Sequence, residues 1–212
     1  STAGTWESNQ VKSVNGSTLH LIKPLANSFV TGGGAKAQVV LAASFGNVEI
    51  VNGGTLKPSK PLAADGSEGG IVYVRANKVV VSSGGRVDAD GAGFLPTPGG
   101  YFAPGSSECG VGSPGDSKQN CSGGAGGGKF CANAGGGGNK TAGEDGANYN
   151  NCSVEATGGM AKGDANISTL EFGGAGGSQY GPGGAGGGIV VIGAQSFIVK
   201  DGGKVSADGA AA

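Results

Sequence analysis

Short runs of Val, Ile, Phe and Tyr, each about four residues long and closed by Gly or Asp-Gly, set the hydrophobic pattern of this chain and predict strands rather than helices. One arrangement of these runs occurs twice. Residues 69–91, GGIVYVRANKVVVSSGGRVDADG, return at 187–209 as GGIVVIGAQSFIVKDGGKVSADG. Each copy reads as an apolar strand, a polar break, a second apolar strand, a Gly-Gly turn, a short third strand and Ala-Asp-Gly. A unit this small cannot bury its own apolar face, so copies are expected to stack on one another.

Weaker copies lie upstream. Residues 40–56 align with 71–87 when Gly53-Gly54 is superposed on Gly84-Gly85, and residues 15–26 echo 52–63 without a gap, placing Val11 and Val14 on Val48 and Val51. Units therefore begin near residues 11, 40, 71 and 189. Three short strands per unit, joined at glycines that accept positive φ, predict an all-β parallel β-helix, a solenoid. An antiparallel β-sandwich is the rival, though sandwiches seldom repeat their own sequence. The expected organisation is one elongated domain over 1–212: an N-terminal arm or cap over 1–10, rungs over 11–91, an insert over 92–186 and a last rung over 187–212.

The insert changes the picture. It holds all four cysteines, and the blocks SGGAGGGKF, GGAGGS and PGGAGGGIV lie in it or at its edge. Such blocks serve either as flexible linker or as left-handed extended segments of polyglycine II type, packed closely because Gly has no side chain. The 49 glycines leave scarcely any helix-forming window, at about 1 kcal/mol each against Ala. Cys109, Cys121, Cys131 and Cys152 are even in number within one stretch, which predicts two disulfides in any of three pairings. A zinc site is the poorer reading, since no CxxC is present and the single histidine, His20, lies far off.

Five Asn-x-Ser/Thr sequons, at Asn15, Asn120, Asn139, Asn151 and Asn166, point with the cysteines to a secreted glycoprotein. Asn139, beside a run of glycines, is expected to be the most accessible. The start at Ser1-Thr2-Ala3-Gly4, without Met, suits a processed product. A net charge of −1 with scattered lysines argues against nucleic acid and acidic membranes, and no apolar stretch reaches the length of a membrane span.

Chemistry is sparse. Asp65, Asp90 and Asp208 recur in Ala-Asp-Gly turns, with Asp88 two residues before Asp90, and a recurring turn explains a recurring Asp. Calcium at 88–91 lacks the remaining ligands. His20 sits among Leu19, Leu21 and Ile22, which disfavours a nucleophilic triad, and the glycine strings lack the strand, helix and Lys-Ser/Thr of a phosphate loop. No catalytic residue, cofactor or metal is expected.

The string GGGIVVIGAQSFIVKDGGKVSADG resembles the repeat of secreted glycine-rich β-helix proteins of extracellular coats, fibres and adhesive surfaces. The resemblance covers 40–91 and 186–209 well, 11–39 loosely, and the insert only in composition. It implies a non-enzymatic structural role, with the chain itself as partner, attached glycans, and extracellular polysaccharide as a further partner. Head-to-tail stacking is expected, with Trp6 in the N-terminal arm as the docking anchor. The alternatives are a carbohydrate-binding, adhesive or ice-binding module and a polysaccharide-active enzyme. Mixed outward positions (Lys78, Ser82, Ser83, Lys200, Asp201) count against ice binding, and Arg75 and Arg86 are the only arginines for an enzyme site.

Overall fold

A computed structural model describes residues 4–29, 37–63, 68–96, 135–147, 158–161, 163–177 and 183–211. These hold eight strands and no helix: β1 (Val11–Asn15), β2 (Thr18–Leu21), β3 (Ser44–Ile50), β4 (Thr55–Leu56), β5 (Ile71–Val81), β6 (Arg86–Asp88), β7 (Ile189–Val199) and β8 (Lys204–Ser206). They form three separate sheets. β1 and β2 make an antiparallel pair, β3-β5-β7 a parallel triple and β4-β6-β8 a second parallel triple.

The repeat alignment is the ladder register. Ser44 pairs with Arg75 and Arg75 with Gly193; Ile50, Val81 and Val199 share one level, as do Leu56, Val87 and Val205. The turns between the long and short strands stack too. Gly53, Gly84 and Gly202 stand at φ 75°, 72° and 76°, a left-handed conformation that favours Gly. Their backbones are chained, with Gly53 N–H donating to Gly84 and Gly84 N–H to Gly202, at 3.1 and 2.9 Å.

The parallel β-helix expected from the pattern is not what the described residues form. The polar break does not end a strand: β5 and β7 each run through it for eleven residues, giving two strands per copy instead of three. The break appears instead as a change of inward parity. Val72, Val74 and Ala76 are buried before it and Val79 and Val81 after it, while the ladder skips Asn77 and Gln195. No third sheet closes a coil among the described residues. After β4 the chain reads Lys57-Pro58-Ser59-Lys60-Pro61, and prolines without N–H cannot donate to a ladder. The unit placed near residue 11 is also corrected. It folds back on itself as β1-β2, with Gly16 at φ 57° opening a two-residue turn, because a Gly-led turn favours a local hairpin over a parallel partner.

The core sits in the middle copy. Val79, Val81 and Val87 have no exposed surface, and Ile50, Val72, Val74, Ala76, Ala89 and Ala92 complete the cluster. A smaller one joins Leu62, Phe94 and Ala175, with Phe172 edge-on to Phe94 at 5.9 Å between ring centroids. Around it the described residues of the glycine-rich runs carry no strand. They are bonded one amide at a time, as where Gly136 donates to Glu144, Gly143 to Gly159 and Gly159 back to Gly136. A Cβ on Gly143 would run into the Gly136 carbonyl, and one on Gly186 into that of Gly173.

Thermal unfolding tests the stacking order. Val79→Ala in the sealed copy is expected to cost about 2–3 kcal/mol, and Val199→Ala, at a side chain 44% exposed, roughly half of that or less. Equal losses would contradict a middle copy covered on both sides.

Candidate functional site: the open ends of the repeat stack

Three copies in register have one interior and two ends. Each parallel triple therefore leaves two outer strands, β3 and β4 on one side and β7 and β8 on the other, with no further strand beside them among the described residues. Side-chain columns show the consequence. Val79 is sealed between Val48 and Phe197, yet Phe197 is 47% exposed; Val87 is sealed between Leu56 and Val205, yet Val205 is 36% exposed. Phe45, Val51, Ile198 and Val199 add exposed apolar surface to the two ends. Unpaired parallel edges carrying apolar side chains are templates for strand addition.

Asp90 joins neighbouring copies by a polar contact. Its Oδ1 accepts the N–H of Asp208 at 2.7 Å, and its Oδ2 accepts from the Ser206 hydroxyl at 3.0 Å and the Lys204 ammonium at 3.4 Å. Burial pushes the Asp90 carboxyl up, but the Asp208 amide, the Ser206 hydroxyl and Lys204 outweigh it, and the group lies below the ordinary carboxylate value. Asp88 works locally, accepting the N–H of Asp90 at 2.9 Å. The two carboxylates of 88–91 are thus spent on different partners. The turn expected from Ala-Asp-Gly is present, with Gly91 at φ 61°, but Asp90 grips the next copy rather than its own turn. Composition carried no signal for that, since the partner is 118 residues away. Asp65 lies outside the described residues. Among the described residues no three His, Cys, Asp or Glu side chains are grouped so as to hold a metal ion.

The remaining predicted residues are scattered. Trp6 is half-buried, and its indole N–H donates to the Ile167 carbonyl of the same chain at 3.0 Å, so this polar handle is engaged internally. Close by, Gly4 accepts from Leu170, and Glu7 accepts from the amides of Ala26 and Asn27. Asn15 ends β1 at the hairpin turn and is exposed. Asn166 is exposed on a turn organised by Asp164, whose carboxylate accepts the Asn166 amide and both the amide and hydroxyl of Ser168. The Ser168 hydroxyl, then the Asn166 amide, hold Asp164 below the usual carboxylate range. Asn139, expected to be the most accessible sequon, is instead half-buried. Its carbonyl accepts from Gly163, and its side-chain oxygen lies over the Gly163 backbone. Asn120, Asn151 and all four cysteines, Cys109, Cys121, Cys131 and Cys152, lie outside the described residues.

No protein-family model, curated protein or solved structure matches this chain. Among the described residues no helix is long and apolar enough to cross a membrane.

Acid titration tests the Asp90 contact. A depressed carboxylate stabilises the fold above its unfolded value of about 3.9, and that contribution is lost as the pH falls through the lower folded value. The gap in unfolding midpoint between wild type and Asp90→Asn is expected to be full at pH 6 and to close below about pH 4. A gap unchanged down to pH 2 would remove the charged contact from the account.

Proposed function

We propose that this protein is a secreted structural glycoprotein, without enzymatic activity, that assembles head to tail with copies of itself into an extracellular filament or coat. The observation that carries this reading is the contrast between the sealed middle copy and the two open end copies. Val79, Val81 and Val87 reach zero exposure because strands flank them on both sides, while Phe197, Val199 and Val205 at the same levels of the last copy remain 36–47% exposed. The ends are complementary in kind, because a parallel sheet offers one edge of each sense and a head-to-tail contact need not close. Secretion rests on the cysteine-bearing insert and the sequons, of which Asn15 and Asn166 are exposed.

No observation favours the alternatives equally. The exposed positions of β5 and β7 include Arg75, Asn77, Lys78, Gly193 and Gln195 and no threonine, and of the acids nearest the strands Asp90 holds two copies together while Asp88 holds its own turn.

Two measurements test the proposal. Electron microscopy of native material at neutral pH is expected to show filaments with a regular axial repeat that survive reduction; only dispersed particles at high concentration would defeat the assembly reading. Mass spectrometry of peptides carrying Asn15 and Asn166 is expected to show glycans on both, and bare asparagine at every sequon would defeat the glycoprotein reading.

A further inference from the structure

The contacts between consecutive copies are directional, which lets the unmade contacts at each end be named. From one copy to the next, the turn amide donates forward: Gly53 to Gly84, then Gly84 to Gly202. Other amides donate backward, Ser82 to Ile50 and Lys200 to Val81 at one level, Arg86 to Gly54 and Lys204 to Gly85 at another. Continued by one copy, the series asks the Gly202 amide for a carbonyl, and the Val199 and Gly203 carbonyls for amides. The first copy holds their complements at the same levels: the Gly53 carbonyl and the amides of Val51 and Thr55.

The carboxylate contact continues in the same way. Asp90 grips the copy that follows it through Lys204, Ser206 and Asp208. Asp208 stands at the level of Asp90 in the last copy, with its carboxylate 73% exposed against 33% for Asp90, and its recorded ion pair is with Lys204 of its own copy at 3.6 Å. The ladder places Thr55 and Leu56 at the levels of Lys204 and Val205; counted on from there along the chain, Lys57 and Ser59 correspond to Ser206 and Asp208. Lys57 and Ser59 are exposed. Thr55 thus stands at the Lys204 position, and the first copy's cation, Lys57, follows two residues later at the Ser206 position.

We infer that the end formed by β7 and β8 docks on the β3 and β4 end of a second copy of this chain, with Asp208 gripping Lys57 and the Ser59 amide of that copy at the positions where Asp90 takes the Ser206 hydroxyl and the Asp208 amide. This rests on the self-assembly reading and adds to it the faces, the polarity and the register of the junction. Phe197 then covers Val48 of the second copy and Val205 covers Leu56, while Val199 comes against the already buried Ile50, continuing the columns that seal the middle copy. The occupant is a second copy rather than another protein because the charge, the amide pattern and the apolar levels of one end are all answered by the other end of the same chain.

Charge exchange tests this with the full chain. Wild type is expected to form sedimentable filaments, and Asp208→Lys and Lys57→Asp are each expected to raise the concentration needed for assembly about tenfold. Mixing the two variants is expected to restore assembly. Each supplies the face that the other lacks, and the two altered faces also attract, so alternating filaments grow; two misfolded chains would not rescue each other. Wild-type filaments that neither variant weakens would overturn this junction and leave self-assembly standing. Weakening by both variants without rescue on mixing would also overturn it. A wild-type chain that stays monomeric would overturn the self-assembly reading, and the junction with it.

Discussion

In-register parallel stacking of three copies of one sequence unit is the constraint on which the rest depends. Each copy contributes a long and a short strand whose apolar residues cannot be buried within the copy, and the ladder brings like levels together. Where two neighbours are present the levels are dry, as at Val79, Val81 and Val87; where one is missing they stay partly wet, as at Phe197 and Val205. Burial is thus a property of position in the stack. Val81 and Val199, like Val87 and Val205, are the same residue at one level with different exposure.

The glycine-rich chain solves a different problem. It has few apolar side chains to bury, and ordering each Gly costs about 0.5–1 kcal/mol more than ordering Ala. What offsets this among the described residues is close backbone approach: the amides of Gly143, Gly159 and Gly136 donate in series to Gly159, Gly136 and Glu144, and those of Gly186, Phe94 and Gly173 in series to Phe94, Gly173 and Gly187. The packing tolerates no Cβ at Gly143 or Gly186. These runs lead into the stack on one side, where the Gly188 amide donates to Ala89 just before β7 begins.

Polar contacts set direction. Apolar columns and parallel ladders alone would permit a copy to slide by two residues, since alternation repeats with that period. Asp90 on Lys204, Ser206 and the Asp208 amide, and Ser82 on Glu49 at 2.7 Å, occur at single levels and pin the register. The lowered Asp90 carboxyl is the electrostatic trace of that grip.

Much of the stack was legible in the residues. Superposing Gly53-Gly54 on Gly84-Gly85, and residues 69–91 on 187–209, reproduces the ladder pairing, because repeated side chains at repeated spacing have one arrangement in which all apolar levels meet. The closed solenoid was not there to be read. Whether the polar break turns the chain depends on neighbouring strands that hold β5 and β7 continuous through it, and whether residues 11–21 join the stack depends on a local hairpin outcompeting a distant partner. The exposure of Asn15 and Asn166, the half-burial of Asn139 and the grip of Asp90 on the following copy were likewise decided by what lies across space. Sequence by itself determined which residues share a level, since that follows from local spacing; tertiary structure alone decided which levels are covered among the described residues, since cover is supplied across space by β3 and β4 on one side and β7 and β8 on the other.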